Sequence, residues 1–184
     1  MGLVKAQHCP ALTLGLVKTE HGAIHSMSMD PLAYMLTWTT YGTWLHGDSR
    51  LSVERKRPGR ATAVLAPNTG LESMRRSQMK GEPVVLSIEE RRQVHDAIEE
   101  CCEYRGWHMP ALNVRSNHAH CIVQAAGCTP EQVMTDLKAR ATRRLREAGL
   151  RRSDQRIWTQ RGSTRWLNNE EGLRAAMEYV LNQQ

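Results

Sequence analysis

His118 and His120 stand one residue apart in NVRSNHAHCIVQ, residues 113–124, at the mouth of an apolar run. In a β-strand residues i and i+2 share a face, so both imidazoles and Ile122 point one way while Ala119, Cys121 and Val123 point the other. Two neutral imidazoles side by side on a rigid strand supply half a coordination shell for a metal. Alone the pair is a weak signal, because eight histidines in 184 residues produce a His-x-His by composition in about one such chain in three.

A second pattern lies in the C-terminal stretch EEGLRAAMEYVLNQQ, which reads as a helix capped by Asn168 or Asn169. Tyr179 and Gln183 are four apart, hence neighbours on one side of that helix. A tyrosine offers a nucleophilic oxygen and an amide carbonyl a hard oxygen ligand. Asn182, three residues on, shares the face and is the rival ligand. Of the four tyrosines, only Tyr179 has an amide one turn on. Taken singly, a tyrosine on an amphipathic helix is more often a core aromatic, and a glutamine at a chain end is usually solvated. The site rests on the conjunction.

The elements that must position these residues follow from periodicity and caps. AYMLTWTTYGTWL, from Ala33, is rich in β-branched and aromatic residues and reads as a first strand. Residues 47–83 form a long basic excursion punctuated by Gly and Pro. Ser87 with Glu90 is a capping box, and Val94, Ala97, Ile98 and Cys101 continue a helical stripe to about Tyr104, stopped by Gly106. WHMPALNVRS is a strand in which Pro110 argues for a bulge or edge, and it enters the histidine strand as a hairpin. Thr129, Pro130 and Gln132 open a second helix whose buried side is Val133, Leu137, Ala141 and Ala148, with Gly149 at its end. RIWTQRGSTRWLN is a fourth strand, broken at Gly162. The order predicts an α+β fold, a ferredoxin-like (RRM-like) antiparallel sheet with helices on one face, and leaves the other face to the terminal helix. Residues 1–30 show no sustained period and read as a poorly ordered extension; 31–184 read as one functional domain.

Lys and Arg number 25 against 19 Asp and Glu, a net charge of +6, which favours a polyanionic partner such as nucleic acid. No stretch has the apolar length of a membrane span, and residues 1–28 lack a secretory apolar region, so the chain reads as cytoplasmic. Five cysteines without C-x-x-C spacing read as free buried thiols. LKARATRRLREAGLRR carries Lys138, Arg140, Arg143, Arg144, Arg146, Arg151 and Arg152; Arg140, Arg143, Arg144 and Arg151 recur near helical spacing opposite the apolar stripe, as a phosphate-tracking surface would. Arg165, Trp158 and Trp166 could stack unpaired bases, with core packing expected for at least one tryptophan.

His-x-His in a central strand followed by Tyr-x-x-x-Gln on a helix resembles the single-tyrosine HUH transposases. TWTTYGTWL, SNHAHCIV, LKARATRRLRE, WTQRGSTRWL and YVLNQQ look most like the REP-associated tyrosine transposases, over residues 34–184. The resemblance implies that His118, His120 and Gln183 hold a divalent metal, Mg²⁺ or Mn²⁺, and that Tyr179 attacks DNA. It implies further a 5′-phosphotyrosine intermediate, strand transfer, single-stranded or hairpin DNA as partner, and a monomer or homodimer. Two departures stand out: the chain stops one residue after Gln183, and the 47–83 excursion is longer than in the smallest members. The chemistry is coherent in itself, since a divalent ion neutralises phosphate charge and tyrosine, ordinarily protonated at neutral pH, needs help to attack. Two other readings compete. One is a catalytically silent single-stranded nucleic-acid-binding domain on the same fold, which lacks the aromatic pair expected of its central strand. The other is a zinc hydrolase using a cysteine, for which Cys121 faces the wrong way.

Overall fold

A computed structural model describes residues 31–45, 48, 52–54 and 63–182. Among the described residues ten elements follow one another: β1 (Ala33–Thr39), β2 (Ser52–Glu54), β3 (Ala63–Leu65), α1 (Thr69–Ser77), α2 (Ile88–Arg105), β4 (His108–Val114), β5 (His118–Gln124), α3 (Pro130–Glu147), β6 (Ser163–Leu167) and α4 (Glu170–Asn182). Four strands form one antiparallel sheet in the order β4-β5-β1-β6, the split β-α-β arrangement expected of the sequence. The histidine strand is central, between β4 and β1.

Strand alternation divides the side chains between two cores. Tyr34, Leu36 and Trp38 of β1 and Ala119, Cys121 and Val123 of β5 pack with Val94, Ile98, Val133, Leu137, Ala141 and Leu145 of α2 and α3. On the opposite face Ala33, Ala111, Ile122 and Leu167 meet Ala176 and Val180 of α4, with Met35, Leu173 and Met177 at the margin. The terminal helix therefore lies over the face that carries the histidines.

Local chemistry explains the boundaries. Both bonds of the Ser87/Glu90 capping box are made, and Gly106 adopts the left-handed conformation (φ 67°) that ends α2. α3 has the same box from Thr129 and Gln132, with Pro130 in its first turn. Its buried stripe ends on Leu145 rather than on Ala148, which is exposed, because the helix stops at Glu147. Asn169, not Asn168, caps α4: its Oδ1 accepts from the Gly172 N–H at 2.7 Å. The register shift between His108 and Ala111 sits at Pro110, as expected of a residue without an N–H. The break at Gly162 has a steric cause, since a Cβ there would lie 2.4 Å from the Thr37 carbonyl oxygen. Trp158 makes only an isolated bridge to Thr40 before β6 begins at Ser163.

The 47–83 excursion contains more regular structure than its composition announces. β2 and β3 pair antiparallel, and α1 is capped by the Asn68 side chain and braced by an Arg76–Glu72 pair at 2.9 Å. Three-residue strands are too short to show a period of two. Residues 1–30 lie outside the described residues.

Candidate functional site

His118 and His120 occupy one face of β5, their ring centroids 4.7 Å apart, with His120 buried and His118 half-buried. Each ring is oriented through Nδ1. His118 Nδ1–H donates to the Asn117 side-chain oxygen at 2.7 Å, and His120 Nδ1 lies 2.7 Å from Thr37 Oγ1, its cross-strand partner on β1. Asn117 is itself held, because its carbonyl accepts from the Thr40 N–H at 2.8 Å and from the Thr40 and Thr43 hydroxyls at 3.1 and 3.3 Å. Imidazoles that ligate metals are characteristically fixed in this manner, one nitrogen in a hydrogen bond and the other turned to the ion. Two imidazoles so placed are a donor set of the kind that a divalent cation takes.

α4 brings Tyr179 to the same place. Its ring stands edge-on to His120, with centroids 5.7 Å apart and planes at 77°. Tyr179 is 48% exposed, so its ring reaches solvent while touching the buried histidine. Ala175, Glu178 and Asn182 line a shallow hollow beside it. Asn182 is exposed on that side, whereas Gln183, the ligand expected from the sequence, lies outside the described residues. One more interaction ties α4 to the site: Asn113 of β4, directly across from His120, donates from Nδ2 to the Val180 carbonyl at 2.9 Å.

The basic run lies away from the histidines. α3 packs on the sheet face opposite α4, so its cations do not line the histidine pocket. Arg140 and Arg144 both bind Glu100 of α2, at 2.9 and 2.5 Å. Arg151 pairs with the buried Glu90 and donates to the Val85 carbonyl, and Arg152 pairs with Asp154. Lys138 donates to the carbonyls of Thr159 and Arg161, and burial together with the nearby Arg156 charge pushes its ammonium down to about 8. These five therefore each have a polar partner within the described chain, which helical spacing alone did not reveal. Arg143 differs. It makes no ion pair among the described residues and lines a surface hollow with Lys138, Thr142 and Arg146. Arg165 is exposed opposite Met35, on the α4 side of the sheet.

The tryptophans separate. Trp158 is buried against Trp38 and donates to Thr142, so it packs the core rather than stacking bases, while Trp166 is 55% exposed. Cys121 is fully buried on the opposite face from the imidazoles, as strand alternation requires. Cys101, Cys102, Cys121 and Cys128 are buried and joined in no disulfide, and burial raises the Cys102 thiol to about 12. A further group that could hold a metal, His95, Asp96 and Glu99, lies on α2, whose helix covers the other face of the sheet.

Thr37, Asn117 and Asn113 are the residues that sequence reasoning missed. Their one signal was polarity at inward-alternating strand and hairpin positions, and it gains meaning only once the cross-strand register is known.

Residues 78–183, more than half of the chain, match the family described as Transposase IS200 like. No curated protein matches. Among solved structures the chain is similar to a REP-associated tyrosine transposase bound to a REP hairpin, at 14% identity, covering 90% of this chain and 70% of that one with a TM-score of 0.47. It is also similar to a protein of Deinococcus radiodurans R1 described as a candidate transposase, at 18% identity, covering 91% and 98% with a TM-score of 0.44.

Proposed function

This chain belongs to the IS200-like transposase family, and from that premise we propose that it cleaves single-stranded or hairpin DNA and transfers the strand through a tyrosine-linked intermediate. The observation that carries the reading is the meeting of three groups on one sheet face: two imidazoles 4.7 Å apart and a solvent-reaching tyrosine ring 5.7 Å from the inner one. His118 and His120 would hold Mg²⁺ or Mn²⁺ with an amide of the last helical turn, Gln183 or Asn182. When bound, such an ion neutralises charge on the non-bridging phosphate oxygens.

Tyr179 is the nucleophile. Its Oη–P bond forms as the P–O3′ bond breaks; the phenolic proton passes to water, and the departing oxygen takes one up to become a free 3′-OH. One phosphoester replaces another, so a second 3′-OH can reverse the exchange on a new strand without ATP. Edge-on packing against His120 restrains the tyrosine ring to few orientations, which reduces the entropy lost on reaching the attacking geometry. Arg165, on the same side of the sheet, meets the strand near the site, and Arg143 meets phosphates farther along it. The protein works as a monomer or a homodimer.

The test is incubation with Mn²⁺ and hairpin oligonucleotides labelled at either end. The wild-type chain should retain the 3′-labelled fragment covalently at Tyr179 and release the 5′-labelled one with a free 3′-OH. Tyr179→Phe keeps the ring and should bind DNA without forming the adduct, while His120→Ala should lose metal binding and cleavage but keep DNA affinity within about a few fold. An adduct on another residue, or cleavage by the Phe variant at the wild-type rate, refutes the mechanism.

A further inference from the structure

α4 rests on the sheet through a short apolar footing, with Ala176 and Val180 buried and Leu173 and Met177 at its margin. Apolar contact is non-directional. It keeps the helix on the sheet but fixes its axial position weakly, and a slide of one residue moves a side chain about 1.5 Å along the axis and 100° around it. Something directional must set where Tyr179 stands.

The Val180 carbonyl, one residue on from Tyr179, accepts from Asn113 Nδ2 at 2.9 Å, a directional bond between α4 and β4. Asn113 is paired in register with His120, which is paired in turn with Thr37. One polar row across three strands thus fixes the His120 ring at one end and the tyrosine helix at the other.

We propose that Asn113 is a positioning residue, which locks the last turn of α4 to the strand beside His120 and so sets Tyr179 against the histidine pair. The docking follows from the hydrogen bond and the register; its catalytic consequence rests on Tyr179 being the nucleophile.

The experiment uses the full chain with Asn113→Ala and the isosteric Asn113→Asp, which keeps the shape and turns an acceptor toward the carbonyl. In metal-free protein, NMR should show a cross-peak between the Tyr179 and His120 rings in wild type that is lost or strongly weakened in both variants. Amide exchange within α4 should rise about tenfold, the factor matching one ordinary hydrogen bond, with α2 and β5 unchanged. At saturating hairpin DNA and Mn²⁺, kcat should fall about 100-fold with KM nearly unaltered, the penalty typical of an ångström-scale misplacement. Unchanged ring contact and α4 exchange in the Asp variant overturn the proposal, as does uniform acceleration of exchange over the whole sheet. If the ring contact is lost in both variants while Tyr179→Phe still cleaves, the docking role stands and the nucleophile assignment falls.

Discussion

Replacing Arg151 by Ala separates a structural cation from a DNA-binding one. Arg151 and Glu90 form an ion pair whose side chains are only 14% and 7% exposed, with the guanidinium binding both carboxylate oxygens. Removing one member of a largely buried pair leaves an uncompensated charge, at a cost of about 3 kcal/mol, the low end of the usual range because Glu90 still accepts from the Ser87 N–H at 2.8 Å. For a chain of this size that corresponds to a melting point lower by about 6–12 °C. Burial pushes the Glu90 carboxyl upward, but the hydrogen bonds from Arg151 and Ser87 and the Arg151 charge outweigh it and hold the group below its ordinary 4.5. A carboxylate depressed in the folded state contributes stability above its unfolded pKa and loses it as pH falls through the folded one. The gap between wild type and Arg151→Ala should therefore be widest above pH ~5 and close on acidification. Calorimetry or fluorescence melts across pH 3–7 measure it. A variant melting within about 2 °C of wild type at neutral pH, or a gap independent of pH, refutes the strut; so does a lowered salt dependence of DNA binding.

Two further substitutions probe the site and its approaches. Thr37→Val keeps the branched shape and removes the oxygen at His120 Nδ1, so Mn²⁺ affinity in a DNA-free titration should fall about 10–100-fold, with Thr37→Ser restoring most of it; equal affinity in the Val variant discards the orienting role. Arg143→Ala should lower the slope of log affinity against log salt by about 0.7–0.9 without changing the melting point, whereas Arg144→Ala should disturb the α2–α3 link through Glu100; an unchanged slope for Arg143→Ala means that the residue is only solvated.

What was legible in the sequence was local. Capping boxes at Ser87 and Thr129, the left-handed stop at Gly106 and the alternation of HAHCIV depend on neighbours a few residues away, and each appears where the pattern placed it. The shared face of His118 and His120 follows from strand geometry alone. What was hidden depends on partners far along the chain. Helical spacing put Arg140, Arg144 and Arg151 on a polar stripe, but their carboxylates come from α2, 40 to 61 residues upstream. Whether a cation is free for phosphate is a question about those acids, not about its own helix. The Thr37–His120–Asn113 row is hidden for the same reason, since it exists only when β1 and β4 flank β5 in this register. Gln183, the ligand inferred from family resemblance, lies outside the described residues, while the tyrosine one turn before it stands beside His120.

On the proposed function, the division of the sheet into two faces also constrains how a DNA strand would run. The histidines lie on the sheet face that α4 covers and Tyr179 is carried by α4 itself, while Arg143 is carried by α3 on the other side. The outer surface of a packed helix stands about 15 Å from the far face of its sheet, a helix diameter plus half a layer spacing. At about 3.4 Å per stacked nucleotide along one strand, a DNA that touched both would span about four or five nucleotides from the scissile phosphate. It has to pass an edge of the sheet, and β6 is the edge whose exposed side chains, Arg165 toward α4 and Trp166 toward α3, offer a guanidinium on one side and an aromatic ring on the other. Base stacking on Trp166 and phosphate contact at Arg165 would both be sequence-tolerant interactions. On the proposed reading, selection of a particular hairpin would then come from shape and from contacts away from the scissile bond, the division of labour that rejoining ends of different sequence requires.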